Sequence, residues 1–141
     1  MSQSSIFYPV FAQVILTFVI LTYMGVKRLR SLRDGEIKIK DIALREQNWP
    51  AHVTKVANNF HNQFELPPLF YLACVFAFLL NNVSGIILLL AWGFVAARVG
   101  HSYVHVTSNH VPKRAYVYFL GCIILFAMWL ILFAQLVYEG F

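Results

Sequence analysis

Charge is what this 141-residue sequence has least of. Asp, Glu, Lys and Arg together make up 12% of it, against roughly 25% in an ordinary soluble domain. That deficit excludes a soluble globular protein of this size. Cysteine is also scarce: Cys74 and Cys122 are the two, and both fall in apolar runs, so they read as small buried hydrophobes and exclude a disulfide framework. No charged residue precedes the first apolar run, so no cleavable signal peptide is expected and the first span is expected to be retained. Internal repeats and low-complexity tracts are lacking as well. What remains is hydrophobicity. Apolar residues make up 60% of the chain, with thirteen Phe, seven Tyr and three Trp, and the mean hydropathy is +0.66. An integral membrane protein follows. The net charge of +5 would suggest a nucleic-acid partner in a soluble domain. In a membrane chain basic residues are topology signals and phospholipid contacts, and no nucleic-acid partner is expected.

Four apolar segments can be counted, at about residues 6–26, 62–80, 84–105 and 114–138, within a single domain covering 1–141. The first has 21 residues, which at 1.5 Å per residue reach roughly 31 Å, enough for a bilayer core of about 30 Å. The expected fold class is all-α, an integral membrane four-helix bundle. Asn81 and Asn82 form a tight turn between the second and third spans, making those two antiparallel neighbours. The third and fourth are joined by the short polar stretch HVTSNHVPKR. The first connection, 27–57, is long and of mixed charge, with room for a short surface helix.

Placement of the cations sets the expected topology. All eleven Lys and Arg lie in the first connection (Lys27, Arg28, Arg30, Arg33, Lys38, Lys40, Arg45, Lys55) or around the third (Arg98, Lys113, Arg114). In a four-span chain these two connections share a side. The positive-inside rule puts them in the cytoplasm and both termini outside. The five histidines fall on the same side.

A polar constellation lies at that face. The stretch NNFHNQFELPPLF, residues 58–70, read as a helix presents Asn58, Asn62 and Glu65 on one face. A carboxylate at the edge of a span needs a partner. Arg98, His101 and His105, spaced i, i+3, i+7, form one stripe at the end of the third span. Pro112 suits a helix start, which puts Arg114 at the same depth. Two readings stand side by side. In one, Glu65 pairs with Arg98 or Arg114 and pins the helices together. In the other the cluster is an anion site: arginines hold carboxylates in bidentate fashion, the carboxylate holds an ammonium group, and the ligand is zwitterionic and peptide-like. A thiol near Arg114 would then ionise below its usual pKa of about 8.5. Pro67 and Pro68 lack N–H groups, so a helix running through them leaves the carbonyls of Gln63 and Phe64 without donors. The result is a kink, serving either packing or access. His101 and His105 have the i, i+4 spacing of metal ligands, but no carboxylate or cysteine shares their stripe, and no metal is expected.

These residues resemble the family of membrane-associated proteins in eicosanoid and glutathione metabolism, the MAPEG family. It includes microsomal glutathione transferases, leukotriene-C synthase and microsomal prostaglandin E synthase. The family pattern N-x-x-E-x-x-P-L-F is matched by Asn62, Glu65, Pro68, Leu69 and Phe70. The A-R-x-x-H pattern of the prostaglandin synthase branch is matched by Ala97, Arg98 and His101, and the proline and arginine that open the fourth helix by Pro112 and Arg114. The resemblance covers nearly the whole chain. It implies a homotrimer of four-helix subunits in contact with membrane lipids, with glutathione held near the cytoplasmic face. Asn58, Asn62, Glu65, Arg98, His101 and His105 would bind glutathione, and Arg114 would stabilise its thiolate. The implied activity is a transferase or peroxidase reaction on a lipophilic electrophile arriving from the bilayer. Three departures accompany the match. Asn58 stands where the family usually has arginine, with Lys55, a point charge without the guanidinium fork, one turn earlier. His105 stands where tyrosine would be. Ala115 replaces a serine of the prostaglandin synthase branch, which argues against that isomerase activity. The alternative is a non-catalytic member that binds a lipid or a partner protein.

Overall fold

The computed structural model describes residues 2–43 and 48–139, and every regular element among them is helical. A 3₁₀ turn, Gln3–Ile6, leads into α1 (Phe7–Arg33). The short α2 (Ile39–Ile42) and α3 (Ala51–His61) follow, then a second 3₁₀ turn (Asn62–Phe64), α4 (Pro67–Leu79), α5 (Gly85–Val106) and α6 (Val111–Glu139). Four stretches are long and apolar enough to cross a membrane: Gln3–Arg33, Ala51–Leu79, Gly85–Val106 and Val111–Tyr138. This is the all-α, four-span bundle expected from composition.

Helix ends differ from the sequence expectation where charge or proline misled it. The first span does not stop near Val26 but continues to Arg33. Lys and Arg are good helix formers, and their long stems carry the charge away from the apolar body. Gly35 stops the helix: its φ is +75°, the left-handed conformation glycine adopts without penalty. There the Gly35 and Glu36 N–H groups donate to the carbonyls of Leu32 and Ser31, at 3.2 and 3.0 Å, a Schellman close. The connection expected over 27–57 is therefore shorter, with helix at both ends. It is also tied down. Ser31 Oγ donates to the Glu36 carboxylate, His52 Nε2 lies 3.3 Å from the same carboxylate, and the Arg28 guanidinium sits 5.1 Å from the Trp49 ring centre. Arg45 lies outside the described residues. The last two helices are continuous, α5 over Gly85–Val106 and α6 over Val111–Glu139.

The second span is two helices, not one kinked helix. Helix α3 ends at His61, and α4 restarts with Pro67 and Pro68 as its first two residues. Proline is tolerated there because N–H groups of a first turn have no intrahelical acceptor. Upstream, the two missing donors end the ladder, and the chain passes through the 3₁₀ turn instead. Asn58, Asn62 and Glu65 thus sit on a helix, a 3₁₀ turn and a linker, and do not form the single helical stripe the spacing suggested.

At the far end, Asn81 closes α4 with φ +53°, and the Asn81 and Asn82 N–H groups donate to Phe78 and Ala77 at 3.1 and 2.9 Å. Ser84 Oγ accepts from the Ile87 N–H and caps α5. The N-terminal turn is pinned to this loop, since Gln3 Oε1 accepts from the Val83 N–H at 3.0 Å. Between the two ends runs an apolar core in which Phe70 stacks on Phe94 at 4.5 Å between ring centres. Helices α5 and α6 approach closely where Gly121 faces Ala97, as small residues allow inside a bilayer.

Sequence reading gave no hint of a buried amide chain through this core. Gln13 of α1 donates from Nε2 to Gln63 Oε1 at 3.0 Å. Gln63 Nε2 donates to Ser102 Oγ at 3.1 Å and to the Asn59 carbonyl at 3.3 Å. All four residues are buried. The chain sews α1, the 3₁₀ turn and α5 together immediately behind Asn62 and His101. Gln63→Leu strands the amide of Gln13, so it is expected to cost about 1–3 kcal/mol of stability. Adding Gln13→Leu should recover part of that, which equilibrium unfolding in mixed detergent micelles would show. Additive losses would mean the two amides act separately.

Candidate functional site

The helix ends that meet at the α5–α6 turn carry most of the polar chemistry. The last turns of α5 hold Arg98, His101 and His105, all of them buried. The 3₁₀ turn brings Asn62 against them. Arg114 opens α6, and Tyr118 stands one turn further along it.

His101 is the hub. Its Nδ1 is 3.2 Å from the Arg114 carbonyl and its Nε2 is 3.3 Å from Asn62 Nδ2. A carbonyl only accepts, so Nδ1 carries the proton. Nε2 is then the acceptor for the Asn62 amide. One imidazole thus joins the 3₁₀ turn, α5 and α6. His105 packs on it with ring centres 5.6 Å apart. His105 Nε2 lies 3.2 Å from Arg114 Nη1. A guanidinium only donates, so this nitrogen accepts and the His105 proton sits on Nδ1, which is buried without a partner.

Arg98 is 1% exposed. It donates from Nη2 to the Asn62 carbonyl at 2.7 Å, a carbonyl at the break that the prolines created. A cation at the end of a helix also suits the partial negative charge there. Arg98 Nε and Nη1 are buried without an acceptor. Tyr118 lies between this guanidinium and Glu65: its ring centre is 5.9 Å from Arg98 Cζ, and its hydroxyl donates to Glu65 Oε2 at 3.0 Å. One of the two readings of the sequence pairs Glu65 with Arg98 or Arg114. Among the described residues neither arginine is within ion-pair distance, and the direct partner is the tyrosine. Glu65 is exposed, so water or a ligand ammonium can reach it, and it needs no buried counter-ion.

Arg114 is half-buried. Besides His105, its Nη1 donates to Asn109 Oδ1 at 2.7 Å. Asn109 has φ +49°, a conformation asparagine tolerates better than most residues.

Six of the seven sequence-derived residues therefore come together: Asn62, Glu65, Arg98, His101, His105 and Arg114. Asn58 does not join them. It is exposed on α3, and Lys55 gives its ammonium to the Thr107 carbonyl at 2.9 Å, at the end of α5. No group of three His, Cys, Asp or Glu side chains comes within metal-binding reach among the described residues. Two participants escaped sequence reading. Tyr118 was detectable, since it follows Arg114 by four residues and so shares its helical face. Asn109 was not, because only the folded turn brings its amide back onto Arg114.

Chemically, two guanidiniums and one acid at the rim give a positive, donor-rich cluster suited to an anionic or zwitterionic ligand with a carboxylate and an ammonium group. No curated protein and no solved structure matches the chain. The model of the MAPEG family matches residues 6–134, which reaches into all four spans and includes every residue of the polar cluster. That match, over nearly the full length of a four-span bundle, places this chain in the MAPEG family.

Proposed function

We propose that this protein is a glutathione-dependent membrane transferase or peroxidase acting on a lipophilic electrophile, with its site at the cytoplasmic end of the bundle, in a homotrimer. The observation that carries this reading is the convergence of Asn62, His101 and Arg114 from three separate elements, with Glu65 at the rim. The residues fit a tripeptide thiol. Arg98 keeps two buried donors without acceptors, and such donors suit an anionic ligand. Glutathione, when bound, supplies a nucleophilic thiol.

The chain's own residues do the rest. Arg114 offers a fixed positive charge that favours the ionised sulfur at neutral pH. Glu65 holds the ligand ammonium, with Tyr118 fixing the carboxylate's orientation. Asn62, locked through His101, positions the ligand backbone. The apolar flanks of α1 and α6 let a lipophilic acceptor approach from the bilayer. A cytoplasmic location of both basic connections follows from the positive-inside rule.

The test is conjugation of a generic aryl halide, and reduction of a lipid hydroperoxide, by the purified protein with glutathione. Saturable turnover is expected with at least one of them. A protein that binds glutathione in neither calorimetry nor kinetics overturns the proposal. One observation favours a second reading, a non-catalytic lipid- or partner-binding member. Asn58 is exposed where the family usually carries arginine, and Lys55 is committed to a helix end. Under that reading calorimetry with glutathione shows no saturable heat.

A further inference from the structure

The feature that the proposed chemistry leaves unexplained is how Arg114 is held. Guanidiniums on the first turn of a helix normally sample many rotamers, and each frozen side chain costs up to about 2 kcal/mol. Here a single nitrogen, Nη1, meets two acceptors: Asn109 Oδ1 at 2.7 Å and His105 Nε2 at 3.2 Å. Both acceptors come from the chain just before Arg114, one from the last turn of α5 and one from the loop. The backbone helps, because the Arg114 N–H donates to the His110 carbonyl at 3.0 Å and the Asn109 N–H to Val104 at 2.8 Å. The loop is therefore closed onto α5 on one side and feeds α6 on the other. Committing Nη1 leaves Nε and Nη2 as the donors of Arg114 that remain for a ligand, so the clamp also chooses which edge of the fork is presented.

We propose that Asn109 is a positioning residue, which together with His105 locks the Arg114 guanidinium in one orientation and so sets the ionisation of a thiol bound beside it. The consequence for glutathione rests on the function proposed above; the clamp itself does not. Asn109 does two separable things. Its backbone adopts φ +49°, and its side chain supplies the acceptor. Glycine keeps the first and loses the second. Aspartate tolerates the same φ and retains an oxygen acceptor.

The experiment compares the full-length protein with Asn109→Gly and Asn109→Asp, using two readouts. The first is nuclear magnetic resonance of ¹⁵N-arginine-labelled protein in micelles, with the Arg114 signals assigned from Arg114→Lys. Hindered rotation about the Arg114 Cζ–Nη bonds is expected in the wild type and in Asn109→Asp, and fast averaging in Asn109→Gly. The second is the ultraviolet absorbance of bound glutathione thiolate, with kcat and KM measured alongside. Asn109→Gly is expected to lower the thiolate fraction and kcat about tenfold, the scale of one lost positioning contact, with KM changed less than threefold. Asn109→Asp keeps the guanidinium in place but adds a negative charge beside it, so it should recover only part of both. A purely structural role would lower the unfolding midpoint without splitting kcat from KM. Wild-type Arg114 rotating as freely as in Asn109→Gly overturns the inference. Hindered rotation in a protein that neither binds nor turns over glutathione leaves the clamp standing and removes the function proposed for the site.

Discussion

Arg114→Ala is expected to lower kcat/KM for glutathione conjugation by about 10²–10³-fold, the usual loss when one preorganised group that stabilises developing or resident anionic charge is removed. The loss should appear mainly in kcat. Asn62, Glu65 and Arg98 do not depend on Arg114 for their places: Arg98 is fixed by the Asn62 carbonyl and Glu65 by Tyr118. The tripeptide should therefore still be bound, with its thiol less ionised. His101 also keeps its partner, since it uses the backbone carbonyl of residue 114 and not the side chain. Arg114→Lys should recover only part of the activity. An ammonium retains the charge, but once its one nitrogen meets Asn109 and His105 it has no counterpart of Nε and Nη2 to turn toward the ligand. Steady-state kinetics with an aryl halide across the three proteins checks this. An alanine variant within threefold of wild type would remove Arg114 from the chemistry.

The second large effect is on stability. Phe94→Ala is expected to cost about 3 kcal/mol, at the lower end of the range for phenylalanine truncation in cores. Phe94 is fully buried and its ring lies nearly parallel to that of Phe70, 18° from coplanar. In a bilayer the transfer part of the usual cost is small, because lipid tails are as apolar as the core. What is lost is packing: the contact with Phe70 goes, and α5, held by the Gln13–Gln63–Ser102 chain, is not free to collapse into the cavity. Phe94 also sits one turn before Arg98, so the cavity should loosen the site. The unfolding midpoint in mixed micelles should fall. Phe94→Leu, which keeps most of the volume, should fall by less than half as much. Equal losses in the two variants would mean that this core is not packed around the ring.

Much of the site was legible because its residues announce themselves against an apolar background. Glu65, Arg98 and Arg114 are conspicuous in spans nearly free of charge, and Pro112, two residues before Arg114, marks a helix start. The partnerships were not legible. Charge counting offers an arginine as one partner for Glu65. The break at Pro67 instead swings the acid to the exposed rim, where a tyrosine from α6 meets it, and the Asn62 carbonyl in the 3₁₀ turn takes the guanidinium of Arg98. Asn109 looks like an ordinary loop residue until α6 folds back on α5.

Composition and hydrophobic run length alone establish a membrane-embedded, all-helical, four-span chain, because crossing a bilayer leaves the backbone few other ways to satisfy its hydrogen bonds. They also mark which polar residues reside at a common depth. Which of these touch, and which stand apart like Asn58, is decided by how the helices pack and where prolines and left-handed asparagines interrupt them. Those contacts join residues as far as 53 positions apart, as Glu65 and Tyr118 are, and no local pattern encodes them.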